Sequence, residues 1–131
     1  MQRISSGSPW EQTLGYSRAV IANGLIFISA TAATDAEGKV VGQGDVYRQT
    51  QVILEKLGAV LAQAGAGYQH VVQTRLYLTD IARWEEAGRA HGEVFGAIRP
   101  AMSLVHVNPF LDAQMLVEIE LVAVKPGISE E

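Results

Sequence analysis

The dipeptide Asn23-Gly24 constrains this chain more than any other feature, because it lies between two short apolar, β-branched runs in the stretch Ser17-Arg18-Ala19-Val20-Ile21-Ala22-Asn23-Gly24-Leu25-Ile26-Phe27-Ile28-Ser29. Asn-Gly accepts positive φ at both central positions of a two-residue turn, so the runs on either side are predicted to pair as a β-hairpin over 17–29. Turn formers follow in Thr34-Asp35-Ala36-Glu37-Gly38 and Gly42-Gln43-Gly44, with no periodic apolar signal, and predict a surface loop. Asp45 then offers an N-cap oxygen to a segment in which Ile53, Leu57, Val60, Leu61 and Ala64 recur at helical spacing until Gly65 and Gly67. This predicts an amphipathic helix of about five turns.

Residues 71–79 are rich in β-branched and aromatic side chains and run into Asp80, which suits a strand followed by a helix cap. The second helix carries a predicted inward stripe of Ile81, Trp84, Gly88, His91 and Phe95, and Pro100 drives Arg99 out of the α region and closes it. Strand signals at 102–107 and 116–124 complete the order ββ, α, β, α, ββ, and 125–131 reads as a loose tail. The fold class is α+β: a mixed sheet of about six strands with two helices on one face. The other sheet face is left bare, which predicts burial against identical neighbours and clefts between subunits.

At 131 residues with 48% hydrophobic side chains, the chain is expected to form one domain spanning 1–131. It holds no cysteine, which removes disulfides, thiolate metal sites and cysteine nucleophiles. Its formal charge of −4, without any basic run, gives no nucleic-acid footprint. There is no apolar stretch of membrane-spanning length and no signal-peptide core, so a cytoplasmic protein without a membrane partner is expected. His70, His91 and His106 form no ligand-like spacing, and no metal is predicted.

The carboxylates are more informative. In Leu116-Val117-Glu118-Ile119-Glu120-Leu121, strict alternation places both glutamates on one strand face. They are either solvated or, in a subunit cleft, one of them is desolvated and able to position or deprotonate a water. Met102, Leu104 and His106 share one face of the neighbouring strand signal.

Five segments in order carry a resemblance: Gly15-Tyr16-Ser17-Arg18-Ala19-Val20, Asn23 to Ser29, Arg75-Leu76-Tyr77-Leu78-Thr79-Asp80, Arg99-Pro100-Ala101-Met102-Ser103 and Val117-Glu118-Ile119-Glu120. Together they resemble the Rid family, the reactive intermediate deaminases also called YjgF-type proteins, over nearly the whole chain. The resemblance implies a chorismate-mutase-like fold, a homotrimer with a central barrel, intersubunit ligand clefts, and cofactor-free hydrolysis of small imines or enamines. Residue by residue, it implies that Glu118 positions the water, that Tyr16 belongs to the cleft, and that Ser29 ends the second hairpin strand, followed here by Ala30 and Thr31 where Gly-Gln is typical.

One departure stands out. The family's Pro-Ala-Arg-Ser segment, whose arginine grips a substrate carboxylate, reads Pro100-Ala101-Met102-Ser103 here. Loss of such a contact typically costs about a few kcal/mol, roughly a hundredfold in binding, unless another cation compensates. Arg18, Arg75 and Arg99 are the candidate substitutes, and Arg99, nearest to Met102, is singled out; His106 is a candidate donor to a less acidic ligand. The expected function is therefore hydrolysis of an imine, enamine or related amine-derived metabolite, with ordinary 2-imino acid deamination in question. The rival readings are a non-catalytic metabolite-binding or regulatory trimer and, with less in its favour, an endoribonuclease.

Overall fold

A computed structural model describes residues 1–127 of the chain. The elements run β1 (Gln2–Ile4), α1 (Pro9–Leu14), β2 (Ala19–Ala22), β3 (Leu25–Ala32), α2 (Val46–Gln63), β4 (Val71–Leu78), α3 (Trp84–Phe95), β5 (Ala101–His106) and β6 (Val117–Val124). The six strands form one mixed sheet in the order β1-β2-β3-β6-β4-β5, in which only β4 and β5 are parallel. The last strand thus slots between β3 and β4. That insertion places Glu118 and Glu120 near the middle of the sheet.

The predicted hairpin turns at Asn23 and Gly24, both at positive φ (52° and 76°). Asp45 caps α2 by accepting from the Arg48 amide at 2.9 Å. Alternation along β6 is complete: Val117, Ile119, Leu121 and Ala123 are buried, while Glu118, Glu120, Val122 and Val124 are half-buried on the opposite face. The buried face packs with Ile26, Ile28, Leu76 and Leu78 against Ile53, Leu54, Leu57 and Leu61 of α2 and Phe95 of α3. At about 25 cal/mol per Å² of apolar surface removed from water, this layer is the main source of stability.

Three expectations need correction. β1 and α1 are additional elements, the latter a six-residue helix with Ser8 as N-cap and Pro9 in its first turn. The inward stripe of α3 is Ala87, Ala90, His91 and Phe95, whereas Trp84 is 54% exposed and Ile81 39%. Ile81 belongs to a separate 3-10 turn, Ile81–Arg83, so its phase does not carry into the helix, and small alanines at the close approach of α3 give little periodic signal. The expected tail is only partly assessed, since 128–131 lie outside the described residues. Lys125 itself is tied down, its amide donating to Gly24 O at 2.9 Å and its Nζ to Ala64 O at 2.7 Å.

Gly58 in α2 marks a close approach, because a Cβ built there would stand 2.4 Å from the Tyr68 hydroxyl, which donates to Leu54 O at 2.6 Å. Gly58→Ala, which in an open helix gains about 1 kcal/mol, is expected to destabilise this protein by about 1–3 kcal/mol through overpacking. Tyr68→Phe in the same chain should restore part of the loss. A denaturant titration of the single and double variants checks this, and a stabilised Gly58→Ala would show that the tyrosine moves freely.

Candidate functional site

The site begins with α1, whose only buried side chain is Glu11. The Glu11 carboxylate accepts from the Ser6 amide at 2.9 Å and from the Ser6 hydroxyl, and these bonds hold its pKa below the usual range. Gly15 ends the helix at φ 78°, a left-handed position that a glycine adopts without a Cβ penalty. Its amide and that of Tyr16 both donate to Glu11 O, at 2.9 and 3.0 Å. This turn delivers Tyr16, Ser17 and Arg18 to the start of β2.

Beside it, β3 is irregular. Ile28 pairs with Leu121 and Thr31 with Ile119, so β3 uses one more residue than β6 across this interval and bulges at Ser29 and Ala30. Arg18 spans the bulge: its Nη2 donates to Ser29 Oγ and, at 2.8 Å, to Ala30 O. Ser29 Oγ in turn donates to Arg18 O at 3.1 Å. Beyond the bulge, Lys56 Nζ holds Ala32 O and Thr34 Oγ1, each at 2.7 Å.

The two glutamates of β6 have different surroundings. Glu120 is engaged, accepting from the Tyr77 hydroxyl and lying 3.4 Å from Arg75 Nη1. Glu118, opposite Ala32 on one side and Tyr77 on the other, makes no hydrogen bond or ion pair among the described residues. Burial pushes its carboxyl pKa up, and the Arg18 guanidinium pulls it partly back. A half-buried carboxylate with raised proton affinity and no protein partner can hold a water and take its proton.

The open face of the sheet also carries a concavity of about 390 Å³ lined by Tyr16, Ser17, Phe27, Ser29 and Glu120 among others. Glu118 lies one step further along the same face of β6. The remaining predicted residues are elsewhere in the chain. Thr31 is 2% exposed on the helix-covered face, with its hydroxyl donating to Ser29 O at 2.9 Å. Met102, Leu104 and His106 pair in register with Thr74, Leu76 and Leu78, and therefore lie on the helix side of the edge strand β5. One chain does not bring them together with Glu118. Arg99 is exposed at φ 58° after α3, and its amide donates to Phe95 O at 2.8 Å.

Among the histidines, His91 packs in the core, its Nε2 2.8 Å from the Thr74 hydroxyl and its ring 4.7 Å from that of Phe95; burial holds its pKa down. His70 accepts from the Gly67 amide through Nδ1 at 3.0 Å and shapes the turn into β4. Glu11 is the structural support that periodicity misses. Its signal is the capping pattern Ser8-Pro9-Trp10-Glu11 followed by Gly15.

A mixed six-stranded sheet with helices packed on one face is the architecture of a known class. Residues 8–125 match the family model described as Endoribonuclease L-PSP, and the chain belongs to this family, whose members are also called YjgF/YER057c/UK114 or Rid proteins. It is 34% identical over 128 residues to Uncharacterized protein SCO2049 of Streptomyces coelicolor, covering 98% of this chain and 95% of that protein. To Reactive Intermediate Deaminase A, chloroplastic, of Arabidopsis thaliana it is 35% identical over 109 residues, 82% of this chain and 57% of that one. The crystal structure of Rv2704 from Mycobacterium tuberculosis, described as a member of the YjgF/YER057c/UK114 family, superposes with a TM-score of 0.84 at 40% identity, covering 94% of this chain and 98% of that one. No helix among the described residues is long and apolar enough to cross a membrane.

Proposed function

We propose that this protein is a cofactor-free hydrolase of small imines or enamines, with Glu118 as the residue that orients and deprotonates the attacking water. The observation that carries this reading is the contrast on β6: Glu120 is held by Tyr77 and Arg75, while Glu118, with its raised pKa, has no hydrogen-bond or ion-pair partner among the described residues. In the reaction, water adds across C=N, the nitrogen takes up protons, and the carbinolamine collapses to a carbonyl compound and ammonia. Tyr16 and the bulge at Ser29 and Ala30 shape the ligand pocket. The relative named a reactive intermediate deaminase supports this class of chemistry.

The reading includes a homotrimer. Glu118 lies on the open sheet face, and Met102, Leu104 and His106 lie on the other side of β5, so a cleft using both sets needs two copies of the chain. Exposed Phe27 on the open face, and the half-buried Val20 and Val122 beside it, are apolar surface for such a contact. The second reading, a metabolite-binding trimer without turnover, is favoured by Met102, which offers no charge to a ligand. The family description names an endoribonuclease, but a net charge of −4 weighs toward a small metabolite over RNA.

The test is hydrolysis of imines generated in situ by an amino-acid oxidase across acidic, basic and apolar amino acids, read as loss of the semicarbazide adduct. Catalytic amounts of protein are expected to suppress adduct formation with at least one member of the panel. Adduct formation unchanged across the panel, with the compounds recovered intact from protein that binds them, would replace the hydrolase reading with the binding one.

A further inference from the structure

Glu118 and Tyr77 are direct cross-strand partners on the open face, and Arg75 and Glu120 form the next such pair on the same two strands. Side chains directly opposite in a sheet have Cβ atoms about 4.5–5.5 Å apart, whereas diagonal neighbours are about 7–8 Å apart. The Tyr77 hydroxyl nevertheless takes the diagonal and donates to Oε1 of Glu120. Arg75 Nη1 stands 3.4 Å from the same oxygen, so two donors from β4 converge on one carboxylate and leave its neighbour free. The bond to Glu120 also holds the phenol pKa above its ordinary 10.0, which keeps Tyr77 a donor at neutral pH.

The direction of this hydroxyl matters for Glu118. A hydroxyl that donates to a carboxylate favours its charged form and occupies a lone pair that a water would otherwise use. The remaining titratable groups on the surrounding elements are Tyr16 and Arg18 ahead of β2 and Lys56 on α2, while β3 presents Ala32 opposite Glu118. Arg18 opposes the effect of burial on Glu118 without forming an ion pair with it. Lys56 Nζ is engaged by Ala32 O and Thr34 Oγ1. Tyr77 is therefore the adjacent donor whose direction decides whether Glu118 is free.

We infer that Glu120 and Arg75 are positioning residues that hold the Tyr77 hydroxyl along the diagonal, so that Glu118 keeps both carboxylate oxygens for the attacking water. The inference rests on the hydrolase reading for the use of that carboxylate. It deepens the reading by giving the second glutamate of β6 a task distinct from that of the first.

The experiment compares Glu120→Gln, which removes the charge but keeps an acceptor for the phenol, with Glu120→Val, which removes both. Each is made alone and together with Tyr77→Phe. Two quantities are followed: the acid limb of kcat/KM for imine hydrolysis, and the carboxyl titration of Glu118 by carbon-13 NMR, assigned by loss of its resonance in Glu118→Gln. Loss of the Glu120 charge lowers the midpoint by a similar amount in both variants. Release of Tyr77 in Glu120→Val is expected to lower it by about 0.5–1 pH unit more than in Glu120→Gln, and to cut kcat about 10-fold with little change in KM. Adding Tyr77→Phe to Glu120→Val should remove the extra shift and return kcat to the level of Glu120→Gln. Tyr77→Phe alone should leave the limb in place. Glu120→Thr, whose hydroxyl is too short to meet the phenol, takes the place of Glu120→Val if that variant does not fold. Equal shifts in Glu120→Gln and Glu120→Val, or an extra shift that survives Tyr77→Phe, overturn the inference.

The NMR arm separates this outcome from failure of the hydrolase reading. If no imine is turned over, the Glu118 titration alone decides. An extra shift in Glu120→Val that Tyr77→Phe abolishes sustains the tether on Tyr77 while the hydrolase reading falls. Absence of the extra shift removes the tether whether or not imines are hydrolysed.

Discussion

Glu118→Gln is expected to lower kcat/KM for imine hydrolysis by about 10²–10⁴-fold while leaving the fold intact, since glutamine keeps the volume and polarity of the side chain but accepts no proton. The same substitution has a predictable effect on stability. Burial raises the folded-state pKa of Glu118 above its ordinary 4.5. Between these two pKa values the folded protein binds more protons than the unfolded chain, so stability falls as pH rises through that window. Above it, the ionised carboxylate remains a standing cost. Glu118→Gln should therefore melt at the same temperature as the native protein below about pH 4.5 and at a higher one near neutrality. For the native protein, imine hydrolysis should increase with pH through a midpoint above 4.5. An inactive variant that also melts lower at pH 7 would mean that Glu118 is a structural carboxylate.

Phe95→Ala should be the most destabilising single truncation, at about 3–5 kcal/mol. The ring is 2% exposed, meets Tyr68 edge-on at 5.7 Å and lies 4.7 Å from His91, so it closes the α3 side of the core. In a domain whose total stability is typically about 5–15 kcal/mol, such a loss lowers the melting temperature by roughly 10–20 °C. The comparison is made at fixed protein concentration, because self-association would couple to the transition. A shift of only a few degrees would indicate that the surrounding side chains collapse into the space.

The parts of this molecule that are legible in the sequence are those set by local chemistry. Asn23-Gly24 specifies a turn whatever surrounds it, Asp45 caps the helix that follows, and the alternation of β6 reports a half-buried strand with both glutamates on one face. Information that depends on a partner is not written locally. The bulge at Ser29 and Ala30 exists only as a count against β6, so β3 read alone gives no hint that Ile28 and Thr31 lie on the same side. The same limit applies to the glutamates: their spacing makes them equivalent, and only Tyr77 and Arg75, supplied by β4, distinguish them. Proximity to Met102 along the chain favours Arg99, whereas the fold leaves Arg99 exposed beyond α3 and seats Arg18 against the bulge of the neighbouring strand.

The count of residues between Ile28 and Thr31 has a consequence of its own. Removing Ala30 would let β3 and β6 run in unbroken register, and because Ser29 and Ala30 share the place opposite Glu120, Thr31 would stay opposite Ile119 and Ala32 opposite Glu118, each on its present face. The Ala30 carbonyl that Arg18 Nη2 reaches would go with its residue, and the guanidinium would keep only Ser29 Oγ of its two acceptors. The length of β3 at this point therefore shapes the wall of the pocket without setting which side chains enter the core. A one-residue deletion here would change how Ser29 is presented while sparing the buried layer, a kind of change that point replacement of the lining side chains does not reproduce.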